Sequence, residues 1–323
     1  MKNKTILIVG GAGFIGSHVN KMLNKAGYQT IVLDNLSNGN RSTVQNGEFI
    51  HGEMSDKTIL DQIFQKNKID AVMHFAAYID VGESVLNPVK YYFNNVVNTL
   101  NLLTTMIDHH VKTFIFSSTA AIFGNPQTQF IDENHPMNPI NPYGESKLMV
   151  EKILQSFDNA YGLKFTALRY FNAAGGDPEG KIKNFQTRST NLIPIILKGL
   201  KSENGILTIN GIDYPTSDGT CIRDYIHIED LGSAHIQAME KLFEGSHSDF
   251  FNLGNGIGFS IYDVIQAAES VTQKKVKFQK GPRRPGDPPF LVANSSKAIQ
   301  KLGWKPKFSS LETIITDAWK AIE

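Results

Sequence analysis

Tyr143 and Lys147 stand one helical turn apart in the stretch NPYGESKLMVEKIL, residues 141 to 154. A tyrosine ordinarily releases its proton near pH 10, and a lysine is ordinarily charged and wet. Positions 143, 147, 150, 154 and 157 step by four, three, four and three, and the last three are Val150, Leu154 and Phe157. That spacing keeps all five on one helical face, so the pair extends an inward apolar stripe at its N-terminal end. A buried ammonium is costly without partners. It makes sense if its charge lowers the phenol's pKa and lets Tyr143 act as a general base near neutral pH. Seen alone, the pair reads more simply as a helix-end tyrosine and a snorkelling lysine. A second source of chemistry is FIFSSTAAIFG, residues 114 to 124, where Ser117, Ser118 and Thr119 place hydroxyls at the end of an apolar run. One of them is placed to bond both a substrate hydroxyl and the tyrosine oxygen, although a hydroxyl cluster alone is usually a strand cap.

The elements that must position these groups are legible in the first 170 residues. Apolar runs of strand length occur at 5–10, 30–34, 48–52, 71–77, 113–118 and 164–171, with helical patterns at 14–26, 56–67, 86–109 and 144–160. The alternation predicts an α/β fold with a doubly wound parallel sheet, and the continuous apolar strands predict burial on both faces. The first strand runs into Gly10, Gly11, Gly13 and Gly16 within GGAGFIG and then into a helix. Glycines at such a turn let the backbone approach a pyrophosphate at a helix N-terminus. The next strand ends in Asp34, whose carboxylate suits adenosine ribose hydroxyls and repels a 2′-phosphate, which favours NAD over NADP. No Lys-Ser/Thr pair follows the glycines, so a Walker-type loop is excluded. After about residue 172 the texture turns polar and Gly-rich, with Pro-rich turns at 213–219 and 282–289. We therefore expect an NAD-binding Rossmann domain over 1–172 and a smaller mixed α/β domain over 173–323. A segment near 220–245 is a candidate to return to the first domain.

The bulk numbers bound the partners. The chain has 323 residues, 41% of them hydrophobic, and 32 Lys and Arg against 31 Asp and Glu. That near-neutral balance gives no sign of a nucleic-acid partner. Cys221 is the single cysteine, so no internal disulfide can form and a reducing, cytoplasmic setting is expected. The N-terminal apolar run is too short for a signal peptide, and no stretch reaches the roughly 18 residues of a membrane span. No metal-ligand spacing is apparent; His109-His110 reads as a solvated helix end.

The segments VGGAGFIGSH, MHFAAYIDVGES, FSSTAAIFG, PYGESK, LRYFNAAGG, DYPTSDGTCIRDYIH, FNLGNGIGFS and RRPGDPP together resemble the extended short-chain dehydrogenase/reductases. Within them the chain resembles the UDP-glucose 4-epimerase family over nearly its whole length. The Gly loop and Y-x-x-x-K are shared by the large family; the RDYIH and RPGD segments are specific to nucleotide-sugar epimerases. The resemblance implies that Thr119, Tyr143 and Lys147 are catalytic. It implies that NAD is held by Gly10, Gly13, Phe14, Ile15, Gly16, Asp34, Asn35, Phe75, Ala76, Ala77, Asn94, Ser117, Tyr143, Lys147 and Tyr170, with Glu53 and Met54 near the adenine. It assigns Thr119, Phe171, Asn172, Asn191, Leu192, Arg223, Arg284 and Asp287 to a UDP-hexose. A guanidinium suits a diphosphate; on the residues alone, Arg223 is equally a salt-bridge partner for Asp224 or Asp218. Leu291 stands where a tyrosine often walls the sugar pocket, leaving room for an N-acetyl group. The resemblance also implies a homodimer through the helices near 90–109 and 145–160.

The expected reaction interconverts UDP-glucose and UDP-galactose through a 4-keto sugar with NAD tightly bound. The alternatives are a dehydratase, a decarboxylase or a non-catalytic NAD-binding regulatory protein. A 4,6-dehydratase of this fold carries acidic residues after the threonine, where this chain has Ala120 and Ala121.

Overall fold

The computed structural model describes residues 3–183, 191–202, 205–284 and 287–322. The first half runs β1 (Thr5–Val9), α1 (Phe14–Lys25), β2 (Gln29–Asp34), β3 (Glu48–His51), α2 (Lys57–Lys66), β4 (Ile69–His74), α3 (Val81–Leu86), α4 (Pro88–Tyr91), α5 (Asn98–Asp108), β5 (Thr113–Thr119), β6 (Phe130–Ile131), α6 (Pro142–Tyr161) and β7 (Lys164–Tyr170). The second half runs β8 (Asn172–Ala174), α7 (Leu192–Ser202), β9 (Ile206–Asn210), β10 (Ile222–His227), α8 (Ile228–Phe243), β11 (Asp249–Leu253), β12 (Gly258–Ser260), α9 (Ile261–Thr272), β13 (Lys277–Gly281), β14 (Phe290–Ala293), α10 (Ser296–Leu302) and α11 (Leu311–Ala321).

Seven strands form one sheet in the order β11-β7-β5-β4-β1-β2-β3, and every neighbouring pair is parallel. Alternation along β1 explains why both faces are covered: Ile6 and Ile8 enter one apolar core, Leu7 and Val9 the other. The first core is closed by Val19 and Leu23 of α1 and by Leu231, Ala234 and Met239 of α8. The second is closed by α2, α5 and α6 through Leu60, Leu103, Val150 and Leu154. The chain thus returns to the large sheet over Ile228–Leu253, with α8 beside α1 and β11 added next to β7. Trp304 and Leu302 join the same core.

Five of the remaining strands build a smaller mixed sheet, β12-β10-β14-β6 with β8 also pairing β10, while β9 and β13 pair in a separate two-stranded parallel sheet. A third core under α7, α9 and α11 supports it. The order reverses between β1 and β4, and a crevice beyond the carboxyl ends of strands at such a point is where a ligand binds in open α/β sheets.

Two expectations change. The single helix predicted over 86–109 is α3, α4, a π-helical turn over Tyr92–Val97 and α5. Asn87 caps α4 and Pro88 opens it, which fits proline's place at the first helical position. His109 is more than a solvated helix end: Nε2 meets Asp61 Oδ1 at 3.0 Å and the ring stacks on Phe64, which ties the end of α5 to α2. No helix of the described residues is long and apolar enough to cross a membrane.

Candidate active site

The glycine turn joins β1 to α1, and its glycines are there for different reasons. Gly10 has φ +82°, and a Cβ on it would lie 2.4 Å from the Ala76 backbone nitrogen. A Cβ on Gly16 would lie 2.3 Å from the Gly10 carbonyl oxygen. A Cβ on Gly13 would meet only the Gly10 oxygen, at 3.4 Å. Gly13 is also the N-cap of α1, which has no side-chain cap and no acidic residue in its first turn. The face over Gly13 is therefore open, with unsatisfied amides behind it. Asp34 is buried at the end of β2 and accepts from the amides of Ala12 (2.9 Å) and Leu36 (2.8 Å). Burial raises its carboxyl above the ordinary carboxylate value, and these two amides pull it back. Each oxygen keeps lone-pair capacity for a ribose hydroxyl. An open glycine, an uncapped helix and a buried carboxylate at the next strand end fit a dinucleotide.

The other predicted cofactor residues gather around that crevice. Phe14 and Ile15 begin α1. Phe75 and Ala76 follow β4, both donating their amides to the Val9 carbonyl, and Ala77 comes next. Asn35 bonds both carboxylate oxygens of exposed Glu53 at 3.1 Å. Met54 is buried, its sulfur 3.1 Å from His74 Nε2. Asn94 lies in the π-helical turn and donates to Asn95. Asn95 is the residue that sequence reasoning missed. Its buried amide bonds both the N–H and C=O of Tyr78 and the Ser146 hydroxyl, fixing the loop after β4 against α6. Only its place beside Asn94 hinted at this.

Thr119 ends β5, and Tyr143 and Lys147 lie on the first turns of α6. Asn141 caps that helix through Gly144, and Pro142 opens it. Gly144 has a role the sequence did not reveal. A Cβ there would lie 2.6 Å from the Ala121 carbonyl oxygen, so only glycine lets α6 press its first turn onto the turn after Thr119. That approach brings the Tyr143 phenol close to the Thr119 hydroxyl, which interacts with it. Lys147 is buried; its Nζ donates to the Ser117 carbonyl at 2.8 Å and lies over the Phe116 ring. Ser117 Oγ has no well-formed hydrogen bond, although the Tyr170 phenol interacts with it weakly.

The expected electrostatic link between lysine and tyrosine is not what this state shows. Burial raises the Tyr143 phenol above its ordinary value, and the Thr119 hydroxyl is what pulls it down. Burial also brings Lys147 down to about 7, against the pull of Glu151. The Lys147 ammonium is turned to the Ser117 carbonyl. Tyr170 is likewise pushed up by burial.

Arg223 does not pair with Asp224 or Asp218. Its Nη2 donates to Asp287 at 2.9 Å, and Nη1 donates to the carbonyls of Ile222 and Pro288. These bonds occupy three of the five N–H groups of a guanidinium. Asp218 caps Thr220. Asp224 is fully buried and accepts from the amides of Asn255, Gly256 and Ala293, and burial raises its carboxyl to about 6. Arg284 is exposed and directs its guanidinium to the Asn210 side-chain amide. Pro285 and Gly286 of the predicted turn lie outside the described residues. Asn172 donates to the Asp224 carbonyl at 2.9 Å. Asn191 precedes α7, and Leu192 packs against the third core. Phe171 and Leu291 each pack against the apolar cluster of Ala120, Ile122, Phe123, Ile131 and Leu148.

The profile of the NAD dependent epimerase/dehydratase family matches residues 6–254. The chain is 48% identical over 314 residues to the UDP-glucose 4-epimerase of Halalkalibacterium halodurans, covering 97% of this chain and 94% of the relative. The crystal structure of UDP-glucose 4-epimerase from Brucella ovis in complex with NAD superposes with a TM-score of 0.96 at 44% identity, covering 98% and 97% of the two chains. The UDP-Glc/GlcNAc 4-epimerase of Campylobacter jejuni superposes with a TM-score of 0.86 at 43% identity, covering 98% of each.

Proposed function

The chain belongs to the NAD dependent epimerase/dehydratase family, and on that premise we infer that its site inverts the 4-hydroxyl of a UDP-hexose. The enzyme is an isomerase that interconverts UDP-glucose and UDP-galactose with NAD as cofactor. The observation that carries this reading is the turn after Thr119. It continues as Ala120 and Ala121, with the Ala121 amide bonded to Thr119 Oγ1 at 3.1 Å. No carboxyl stands there to drive elimination of water, and the closeness of Thr119 to the Tyr143 phenol supports proton transfer at a hydroxyl.

The roles follow from the chemistry of the residues. Gly13 and the start of α1 receive the pyrophosphate, and Asp34 receives the adenosine ribose. Bound NAD supplies reversible two-electron oxidation of the sugar carbon and a positive nicotinamide charge. Tyr143 takes the proton from the sugar 4-hydroxyl and later returns it, and Thr119 orients the hydroxyl and the phenol together. Lys147 contributes positive charge and a donor at the ribose. Arg223 and Arg284 hold the diphosphate with N–H groups left over from their protein partners, and Asp287 accepts a hydroxyl. The UDP end stays anchored while the hexose presents its other face. The half-buried Leu291 at the apolar wall, together with the likeness to the UDP-Glc/GlcNAc 4-epimerase of Campylobacter jejuni, supports acceptance of the N-acetylated pair as well.

The purified protein, given UDP-glucose and UDP-N-acetylglucosamine separately, is expected to yield the two 4-epimers, resolved by NMR. A dehydrated or decarboxylated product, or no turnover with NAD bound, overturns the reading.

A homodimer is part of the proposal. Val85, Leu86, Val89, Phe93, Val97 and Leu100 are all exposed along α3 to α5, Leu86 at 87%. Val85 and Leu86 close α3, and the other four run through α4, the π-helical turn and α5, more exposed apolar side chains than scattered surface residues account for. Leu86→Asp with Phe93→Asp is expected to halve the mass in light scattering without unfolding the chain. A wild-type monomer defeats this part. A reducing, cytoplasmic setting suits Cys221, buried and unpaired.

A further inference from the structure

One turn beyond Lys147 on α6 lies a charged group that none of the roles above uses. Glu151 is 2% exposed, and Arg169 of β7 is 3% exposed. Arg169 grips the carboxylate with two bonds, Nε to Oε1 at 3.0 Å and Nη2 to Oε2 at 2.7 Å. Ser118 of β5 donates to the same Oε1 at 2.6 Å. A carboxylate placed this deep is costly, and the bidentate pair with a third donor is what makes it tolerable. The network joins three elements at one point. Ser118 stands between Ser117, whose carbonyl receives Lys147, and Thr119, which contacts Tyr143. Spacing of four on a helix puts Glu151 on the same face as Lys147.

We propose that Glu151, held by Arg169 and Ser118, is a positioning residue that keeps Lys147 cationic and keeps the Ser117–Thr119 strand end seated against α6. The proposal rests on the reading of Tyr143 and Lys147 given above, but its test is separable from it. The titratable groups linked to Lys147 are Glu151 on α6 and His74 on β4; Tyr143 lies one turn before it on α6 and couples to Tyr170 of β7, and Arg169 of β7 is bonded to Glu151. Burial brings His74 to about 3, so it is neutral at working pH, and burial keeps both phenols protonated. Glu151 is the partner that opposes desolvation of the ammonium. Arg169 reaches further, to the Glu133 carbonyl and over the Phe250 ring, which anchors it in this network.

A purely structural ion pair makes a different prediction. Such a pair is replaceable by apolar residues with little effect on neighbours. A charge that holds Lys147 is not, because its removal lets burial act on the ammonium unopposed. The experiment follows the 13Cε resonance of Lys147, assigned by its loss in Lys147→Met, through a pH titration of the NAD-loaded protein. Wild type, Glu151→Gln, Glu151→Asp and the pair Glu151→Leu/Arg169→Met are compared, with kcat and KM measured across the same range. Glu151→Gln is expected to move the lysine midpoint down by about one pH unit, the effect of losing a nearby opposite charge. The alkaline fall of kcat moves with it and KM changes little. Glu151→Asp retains most of the wild-type midpoint, and the double variant lies between, since it also removes the arginine charge. An unchanged midpoint in any folded variant lacking the carboxylate overturns the proposal. If Glu151→Gln does not fold, the double variant decides the same question. The lysine titration reads out whichever product the enzyme makes, so failure of the proposed reaction and failure of this inference give different results.

Discussion

Tyr143→Phe turns the UDP-hexose over at least about 10²-fold more slowly than the wild type, the usual loss when a positioned general base is removed. The substitution leaves the ring in a place that is already closely packed, since Tyr143 is only 9% exposed. It removes one hydroxyl, the one that Thr119 contacts. NAD content and melting temperature are therefore expected to match the wild type. The loss falls on kcat while KM stays within a few-fold, the pattern of an interaction made in the transition state. The pH dependence has a definite sign. A base must be deprotonated to act, so the wild-type rate climbs with pH as the phenol ionises. Burial puts that rise above neutrality in the protein alone, and positive charge in the loaded site moves it down. The rising limb disappears in Tyr143→Phe. A variant with a near-normal kcat that keeps this limb assigns the base to another residue.

Much of this site is readable in the sequence, and the unreadable part has a common physical cause. Strand, turn and helix at residues 5 to 25 are set by local patterning, so the glycine turn and Asp34 are found where expected. The four-residue step from Tyr143 to Lys147 is equally local. The missing information lies in contacts between segments far apart in the chain. That Gly144 must be glycine depends on Ala121. That Arg223 pairs with Asp287 rather than its neighbour depends on β10 lying beside β14, while Asp224 turns inward to cap amides of three other positions. The dominance of burial at Tyr143 and Lys147 also follows from packing. The motif specifies which charges are near one another, but burial decides how much charge each carries. The sequence suggests a returning segment near 220–245, but that it spans Ile228–Leu253, sets α8 beside α1 and adds β11 next to β7 depends on packing between distant segments.

Gly10→Ala and Gly13→Ala, three positions apart in one motif, are expected to fail in opposite ways. At Gly10 the backbone is left-handed, which costs an L residue roughly 1–2 kcal/mol. The added Cβ would also lie 2.4 Å from Ala76 N and 2.7 Å from Ala76 Cα. That backbone cannot give easily, because the amides of Phe75 and Ala76 both bond the Val9 carbonyl and Gly10 itself bonds Leu33. Strain and clash together destabilise the fold by more than about 3 kcal/mol, in the range reserved for special backbone positions and overpacked cores. The melting temperature drops by many degrees whether or not NAD is present. Gly13 has φ −78° and ψ 176°, an extended conformation that alanine adopts freely. Its Cβ meets a single protein atom at an ordinary distance. Gly13→Ala therefore melts like the wild type when stripped of cofactor. The methyl group instead occupies the open face where a pyrophosphate must approach. NAD retention is expected to fall at least about tenfold, equivalent to about 1.4 kcal/mol, measured by the cofactor released on denaturation and by the loss of thermal stabilisation on adding NAD. If Gly13→Ala unfolds the chain, or Gly10→Ala leaves it as stable as the wild type, then the division between a glycine required by the fold and one required by the ligand is wrong.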